Sequence, residues 1–209
     1  MIGCVICNGE IDDYTRARRH ISECGLVIAV NRECKHLAEM ELFPDIVIED
    51  LDFSETHVRQ QERTLEPLSH PNSNEKSDIE YAVELAFTRG CRSVYLIGAT
   101  GDRLDITMGN LLLLLRYPGR VALLDGISTL VAVDRSERCR IVSEVGSTVS
   151  LIPVPTAEGV TTTGLKHVMT KEKLSFETRG IGNVLNEKEG CVCISNGLLL
   201  VYVQNERPD

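Results

Sequence analysis

With 209 residues, 31 acidic against 22 basic side chains and a net charge of −9, the chain is long enough for two domains that each bury a core, and it has the wrong overall sign for a general nucleic-acid binder. It holds no apolar run of about twenty residues, and its first residues, MIGCVICNGE, carry neither a basic leader nor a cleavage-site pattern. The expectation is a cytoplasmic protein with no membrane anchor and no nucleic-acid partner. The eight cysteines do not fall into two paired clusters with zinc-site spacing. They read as small buried thiols of a reducing compartment, with neither structural zinc nor an obligatory disulfide.

In chain order, residues 2–7 form a short apolar run that ends at Asn8-Gly9, a turn signal suited to a strand that delivers backbone amides to a ligand edge. A polar helix is predicted over 14–22, a buried strand over 26–30 (LVIAV), a charged helix over 33–40 and a strand over 46–48. Strand and helix in alternation predict a parallel, helix-covered sheet, the Rossmann-like form of the α/β class. Asp50 and Asp52 follow the third strand, where its end opens onto the crevice. Carboxylates there suit magnesium; the alternative is that they are turn and N-cap residues. Residues 63–76, rich in Pro, Ser, Asn and His, read as a loop. Ser77-x-x-Glu80 is a capping-box signature, opening a helix with Ile79, Val83, Ala86 and Phe87 on one face and ending at Gly90.

The stretch VYLIGATGDRLDITMGNLLLLL, residues 94–115, organises the rest. It predicts a buried strand, a turn bracketed by Gly98 and Gly101, and a helix with a core face of Leu104, Met108, Leu111, Leu112 and Leu115. Asp102, Arg103 and Asp105 then sit at a strand-to-helix turn of the kind that lines the ligand crevice in open parallel sheets. Two acids beside an arginine suit a metal-bound phosphate, while the local reading makes Asp102 and Asp105 helix-start residues and Arg103 a solvated one. After Pro118-Gly119, a strand over 121–125 closes the α/β part. Short strands follow at 129–133, 139–142, 148–154, 160–163, 174–176, 191–195 and 198–204. They predict a C-terminal all-β sandwich or barrel-like domain, with domains at 1–125 and 126–209.

Gly98, Gly101, Arg103, Asp105 and Asn110 resemble the nucleotide-site turn of thiamine pyrophosphokinases. EDLDFS at 49–54 is similar to that family's G-D-F-D-S segment, NEKSD at 74–78 to its K-D-x-T-D segment, and GLK at 164–166 and GIGNVL at 180–185 to its C-terminal motifs. Order and spacing agree over nearly the whole chain. The resemblance implies diphosphoryl transfer from ATP to thiamine, with magnesium on Asp50, Asp52 and Asp78 and with Glu75 in reserve. It also implies phosphate contacts from Arg103 and a catalytic role for Asp105. Asn8, Gly9, Gly98, Gly101, Asn110, Lys166 and Asn183 are the implied binding residues, and the implied assembly is a homodimer with the site at the subunit interface. The chain departs from the family at Asn31, Glu49, Phe53, Ile106, Gly182 and Val184. Two other readings stand beside this one: a metal-dependent phosphatase using Asp50 as nucleophile, and a non-catalytic nucleotide- or vitamin-binding member.

Overall fold

The computed structural model describes residues 1–30, 35–49, 66–69 and 75–204, and the chain divides into two compact units, Met1–Asn110 and Leu111–Asp209. Asp50, Asp52 and Asn31 therefore lie outside the described residues.

The first unit is a parallel sheet of β1 (Ile2–Ile6), β2 (Leu26–Val30), β3 (Ile46–Glu49), β4 (Glu66–Ser69) and β5 (Ser93–Ile97), in the order β4-β3-β2-β1-β5. Gly3 to Ile6 of β1 and all of β2 are buried, as strands covered on both faces must be, and this is why they read as unbroken apolar runs. Cys4, Cys7 and Cys91 are buried thiols within this unit. The helices are α1 (Tyr14–Ser22), α2 (Lys35–Glu39), α3 (Asp78–Thr88) and α4 (Leu104–Arg116), the last running on into the second unit. Asp13 caps α1 by accepting from the Arg16 amide at 2.9 Å, and Ala17 and Ile21 are its buried face. Ser77 caps α3 as its capping-box spacing predicts, accepting from the Glu80 amide at 3.2 Å, and Gly90 follows the helix with φ +88°.

Two expectations for this unit need correction. The predicted loop over 63–76 contains β4, parallel to β3 from Ile46↔Glu66 to Glu49↔Ser69. Pro67 masked it, because proline argues against a central strand yet is tolerated on an edge strand, and β4 is the sheet's edge. The predicted core face of α4 is also wrong in phase. Leu104, Met108 and Leu112 are 74, 65 and 65 % exposed, whereas Asn110, Leu113 and Leu114 are buried. Five consecutive leucines, 111–115, put apolar side chains all round the helix, so periodicity does not choose between faces. The choice is made by Asn110, whose Nδ2 donates to the Ala99 carbonyl at 2.7 Å.

The second unit is antiparallel: β6 (Val121–Asp125), β7 (Ser128–Val133), β8 (Cys139–Val142), β9 (Thr148–Thr163), β10 (Glu172–Ser175), β11 (Asn183–Val184), β12 (Glu189–Cys193) and β13 (Asn196–Gln204). β6 and β7 form a hairpin from Asp125↔Ser128 outward, across a two-residue loop whose Gly126 takes φ +50°. The two strands expected at 148–154 and 160–163 are one strand, β9. Thr148 to Pro153 and then, past an irregularity, Ala157 and Glu158 pair with β13, and Thr161 to Thr163 pair with β12. One long strand thus serves both ladders around a core that includes Leu151, Val160, Leu174, Leu185, Val192 and Leu199.

Candidate functional site

Strand register fixes where the site can be. Ile6 pairs with Ala29 and Ile97, and Val30 with Ile48, so the carboxyl ends of β1, β2, β3 and β5 finish at one edge of the sheet. The turns after β1 and β5 are joined there by main-chain hydrogen bonds. The Cys7 amide donates to the Ile97 carbonyl at 2.9 Å, Gly9 to Gly98 at 2.7 Å and Glu10 to Thr100 at 2.8 Å. Gly9 has no room for a side chain, because a Cβ on it would collide with the Thr100 carbonyl oxygen and lie 2.5 Å from that of Gly98. Gly98 itself takes φ +66°, a conformation costly for other residues. Asn8-Gly9 and Gly98-Ala99-Thr100-Gly101 are in effect one interlocked element.

A cavity of about 370 Å³ opens over these turns. Its lining includes Asn8, Gly9, Gly98, Gly101, Arg103 and Asn110, six of the residues expected from the sequence. Asn110 contributes from beneath: its buried carboxamide clasps the Ala99 carbonyl and so fixes the turn's height over α4. The first intrahelical bond of α4 runs from the Thr107 amide to the Arg103 carbonyl, at 3.0 Å. Arg103, Ile106 and Thr107 of the helix start line the cavity, while the amides of Asp105 and Ile106 bond to the Asp105 carboxylate and help to lower its pKa.

Arg103 and Asp105 form a two-pronged pair, Nε to Oδ1 at 3.1 Å and Nη2 to Oδ2 at 2.6 Å, with both side chains about two-thirds exposed. Each holds the other charged: the carboxylate raises the guanidinium's pKa and the guanidinium lowers the carboxyl's. Exposed to water, this pair is weak enough for a phosphate to compete for the arginine.

The remaining expected residues are placed differently. Asp105 does not line the cavity and acts on Arg103 from outside it. Asp78, half-buried at the start of α3, is also outside the lining, although Ile79 beside it belongs to it. Glu75 is exposed; next to it, Lys76 grips both carboxylate oxygens of Glu84 at 2.9 and 2.6 Å, which anchors the segment leading into α3. Lys166 and Asn183 belong to the second unit. Asn183 is buried, its Oδ1 accepting from the His167 amide at 3.0 Å and its Nδ2 donating to the His167 carbonyl at 2.8 Å. It thereby fixes the 165–168 segment, on which Lys166 is exposed. Among the described residues, no three His, Cys, Asp or Glu side chains are grouped so as to hold a metal.

Sequence reasoning missed Lys35, which lines the cavity from α2, and its neighbour His36, which is 2 % exposed. His36 Nε2 lies 2.7 Å from the Gly9 carbonyl oxygen and Nδ1 lies 2.8 Å from the Tyr14 hydroxyl. No local pattern marks this residue, because its partners are 27 and 22 positions away.

Two family descriptions match the chain: thiamin pyrophosphokinase, catalytic domain, over residues 17–123, and thiamin pyrophosphokinase, vitamin B1 binding domain, over residues 131–199. Comparison with curated protein sequences gives no match. Among solved structures, the chain is similar to thiamine pyrophosphokinase from Bacillus subtilis, at 19 % identity and a TM-score of 0.82, over 99 % of this chain and 100 % of that one. It is also similar to thiamin pyrophosphokinase from Geobacillus thermodenitrificans, at 24 % identity and a TM-score of 0.79, over 99 % and 98 % of the two chains. The Candida albicans thiamin pyrophosphokinase is more distant, at 12 % identity and a TM-score of 0.72, over 98 % and 89 %.

Proposed function

The chain belongs to the thiamin pyrophosphokinase family, whose catalytic and vitamin-binding domains it carries in that order, and on that premise we propose that it transfers a diphosphoryl group from ATP to the hydroxyl of thiamine, giving thiamine diphosphate and AMP. One observation supports the nucleotide half of this reading: the cavity over the interlocked turns, walled by glycines and by the start of α4, with Arg103 at its rim. Catalysis of this kind is mostly positioning and charge neutralisation, which is what such a turn supplies.

Magnesium is part of the proposal. Asp50 and Asp52, which immediately follow Glu49 at the end of β3, would hold it with Asp78, and Glu75 is the spare carboxylate. The donor set fits: these are hard oxygen ligands, and Asp78 precedes the cavity residue Ile79. Bound there, the ion would neutralise phosphate charge. Arg103 would contact phosphate oxygens through its planar fork, and Asp105 would hold that fork in orientation until substrate arrives. Lys166, on the segment fixed by Asn183, is the proposed contact to the vitamin from the second unit.

The proposal extends to a homodimer. Leu104, Met108 and Leu112 lie one turn apart on α4 and face solvent, an apolar stripe that a second copy of this chain would cover. The outer face of α4 can be tested directly. Leu112→Asp is expected to shift the protein to monomer in sedimentation, whereas a wild-type protein already monomeric at micromolar concentration removes the dimer from the proposal.

Purified protein with ATP, magnesium and thiamine tests the activity, with AMP and thiamine diphosphate both measured. Equal amounts of the two support it. Free phosphate without AMP would indicate the phosphatase, and tight binding without either product the non-catalytic member. Arg103→Lys keeps the charge but loses the fork, so turnover or ATP affinity should fall about tenfold or more while stability changes by less than about 0.5 kcal/mol. Unchanged kinetics in this variant would show that Arg103 is scaffold.

A further inference from the structure

His36 is a buried imidazole with a determined proton arrangement. The Gly9 carbonyl can only accept, so Nε2 carries the hydrogen. In the neutral ring Nδ1 is then the acceptor, and the Tyr14 hydroxyl donates to it. Burial lowers the ring's pKa and so favours this neutral form. The chain Tyr14–His36–Gly9 ties α2 to the turn after β1, which is itself bonded to the turn before α4. A short helix of one turn and a half is thereby registered against the floor of the cavity.

The residue before His36 is what this registration controls. Lys35 lines the cavity, its side chain is exposed, and it makes no ion pair among the described residues. The other basic side chain of the lining, Arg103, is engaged by Asp105. The remaining charged lining residues, Glu10 and Asp102, are acidic and would repel a polyphosphate. We propose that Lys35 is an anion-binding residue of this site, taking phosphate oxygens of the nucleotide, and that His36 is the positioning residue that holds it there. The proposal rests on the nucleotide reading given above and adds a wall of the site that the family motifs of this sequence did not indicate.

Calorimetric binding of ATP with magnesium, in the absence of thiamine, reads this separately from turnover. Lys35→Met should weaken binding about tenfold, the loss of one charge-assisted hydrogen bond, with the melting temperature unchanged. His36→Phe should weaken it comparably. The double variant should be no more than about twofold worse than the weaker single, since a residue acting through another is non-additive with it. His36→Gln, whose side-chain amide can still donate to the Gly9 carbonyl, should recover to within about threefold of wild type. Wild-type affinity in Lys35→Met, or full additivity in the double variant, overturns the proposal. If His36→Phe does not fold, nitrogen-15 shifts of the wild-type imidazole decide: a proton on Nε2 is required, and a proton on Nδ1 alone overturns it. Wild-type protein that binds ATP but makes no thiamine diphosphate would overturn the transferase reading and leave Lys35 testable. Wild-type protein that binds no ATP overturns both.

Discussion

Gly9→Ala is expected to lower the melting temperature by about 10 °C and to remove measurable ATP binding. The added methyl would meet the carbonyl oxygens of Thr100 and Gly98, both backbone atoms that cannot rotate away. Relief means pulling apart the two turns, which breaks the bonds from Gly9 to Gly98 and from Glu10 to Thr100 and loosens that from His36 to Gly9. Overpacking of about 1–3 kcal/mol, with about 1 kcal/mol for each of the two broken hydrogen bonds, gives a destabilisation of about 3–5 kcal/mol. In a chain of this length each kcal/mol moves the transition by about 2–4 °C. Gly109→Ala is the contrasting case. Gly109 is an exposed residue within α4 with nothing near its Cβ position, so alanine should stabilise by up to about 1 kcal/mol. Thermal unfolding of the two variants side by side checks both, and equal melting temperatures would show that the turns are not interlocked in solution.

What could be read from the sequence follows the distance over which each feature is determined. The cap of α3 is a matter of Ser77 and Glu80, three residues apart, and it was legible. The turn at Gly98–Gly101 was legible for the same reason, since a strand, two glycines and a helix are contiguous. The phase of α4 was not, because a clasp eleven residues away chooses between two equally apolar faces of a poly-leucine helix. β4 was hidden by Pro67, and β9 by Pro153, Pro155 and Gly159, residues that ordinarily end a strand but here lie within one. The role of α2 was illegible because it depends on a hydrogen bond across 27 positions to a carbonyl, and a carbonyl leaves no mark in a sequence. Of the six expected residues that line the cavity, Asn8, Gly9, Gly98, Gly101 and Arg103 sit on the turns after β1 and β5, where local pattern is strongest, and Asn110 lies within α4. Asn183 is a clasp of the same kind: it holds the backbone of His167 through two hydrogen bonds, and its Oδ1 also accepts from the Val184 amide.

Asp50→Asn and Asp52→Asn should each abolish or nearly abolish turnover while leaving stability within about 0.5 kcal/mol of wild type. Asparagine keeps the shape of aspartate and removes the charge, so the change isolates what the carboxylate does. Magnesium typically keeps only one or two carboxylates in its coordination shell, and losing one of so few raises the magnesium concentration needed for any residual activity. Stability should be nearly untouched, since a substitution that keeps shape and disturbs neither core, cap nor buried network usually stays within about 0.5 kcal/mol. The buried apolar residues of β3, Ile46 and Ile48, carry the packing of this strand. Asp78→Asn is the informative comparison, because Asp78 sits in the first turn of α3, where a negative charge also complements the helix dipole. Its loss should therefore reduce turnover and also cost about 0.3–1 kcal/mol of stability, whereas the pair after β3 should affect turnover alone. Magnesium titrations of activity, run with thermal unfolding of the same preparations, separate the two patterns. Full activity in either Asp50→Asn or Asp52→Asn would remove that residue from the proposed metal set, and full activity in both would require the phosphate charge to be met by Arg103 and the helix start without them.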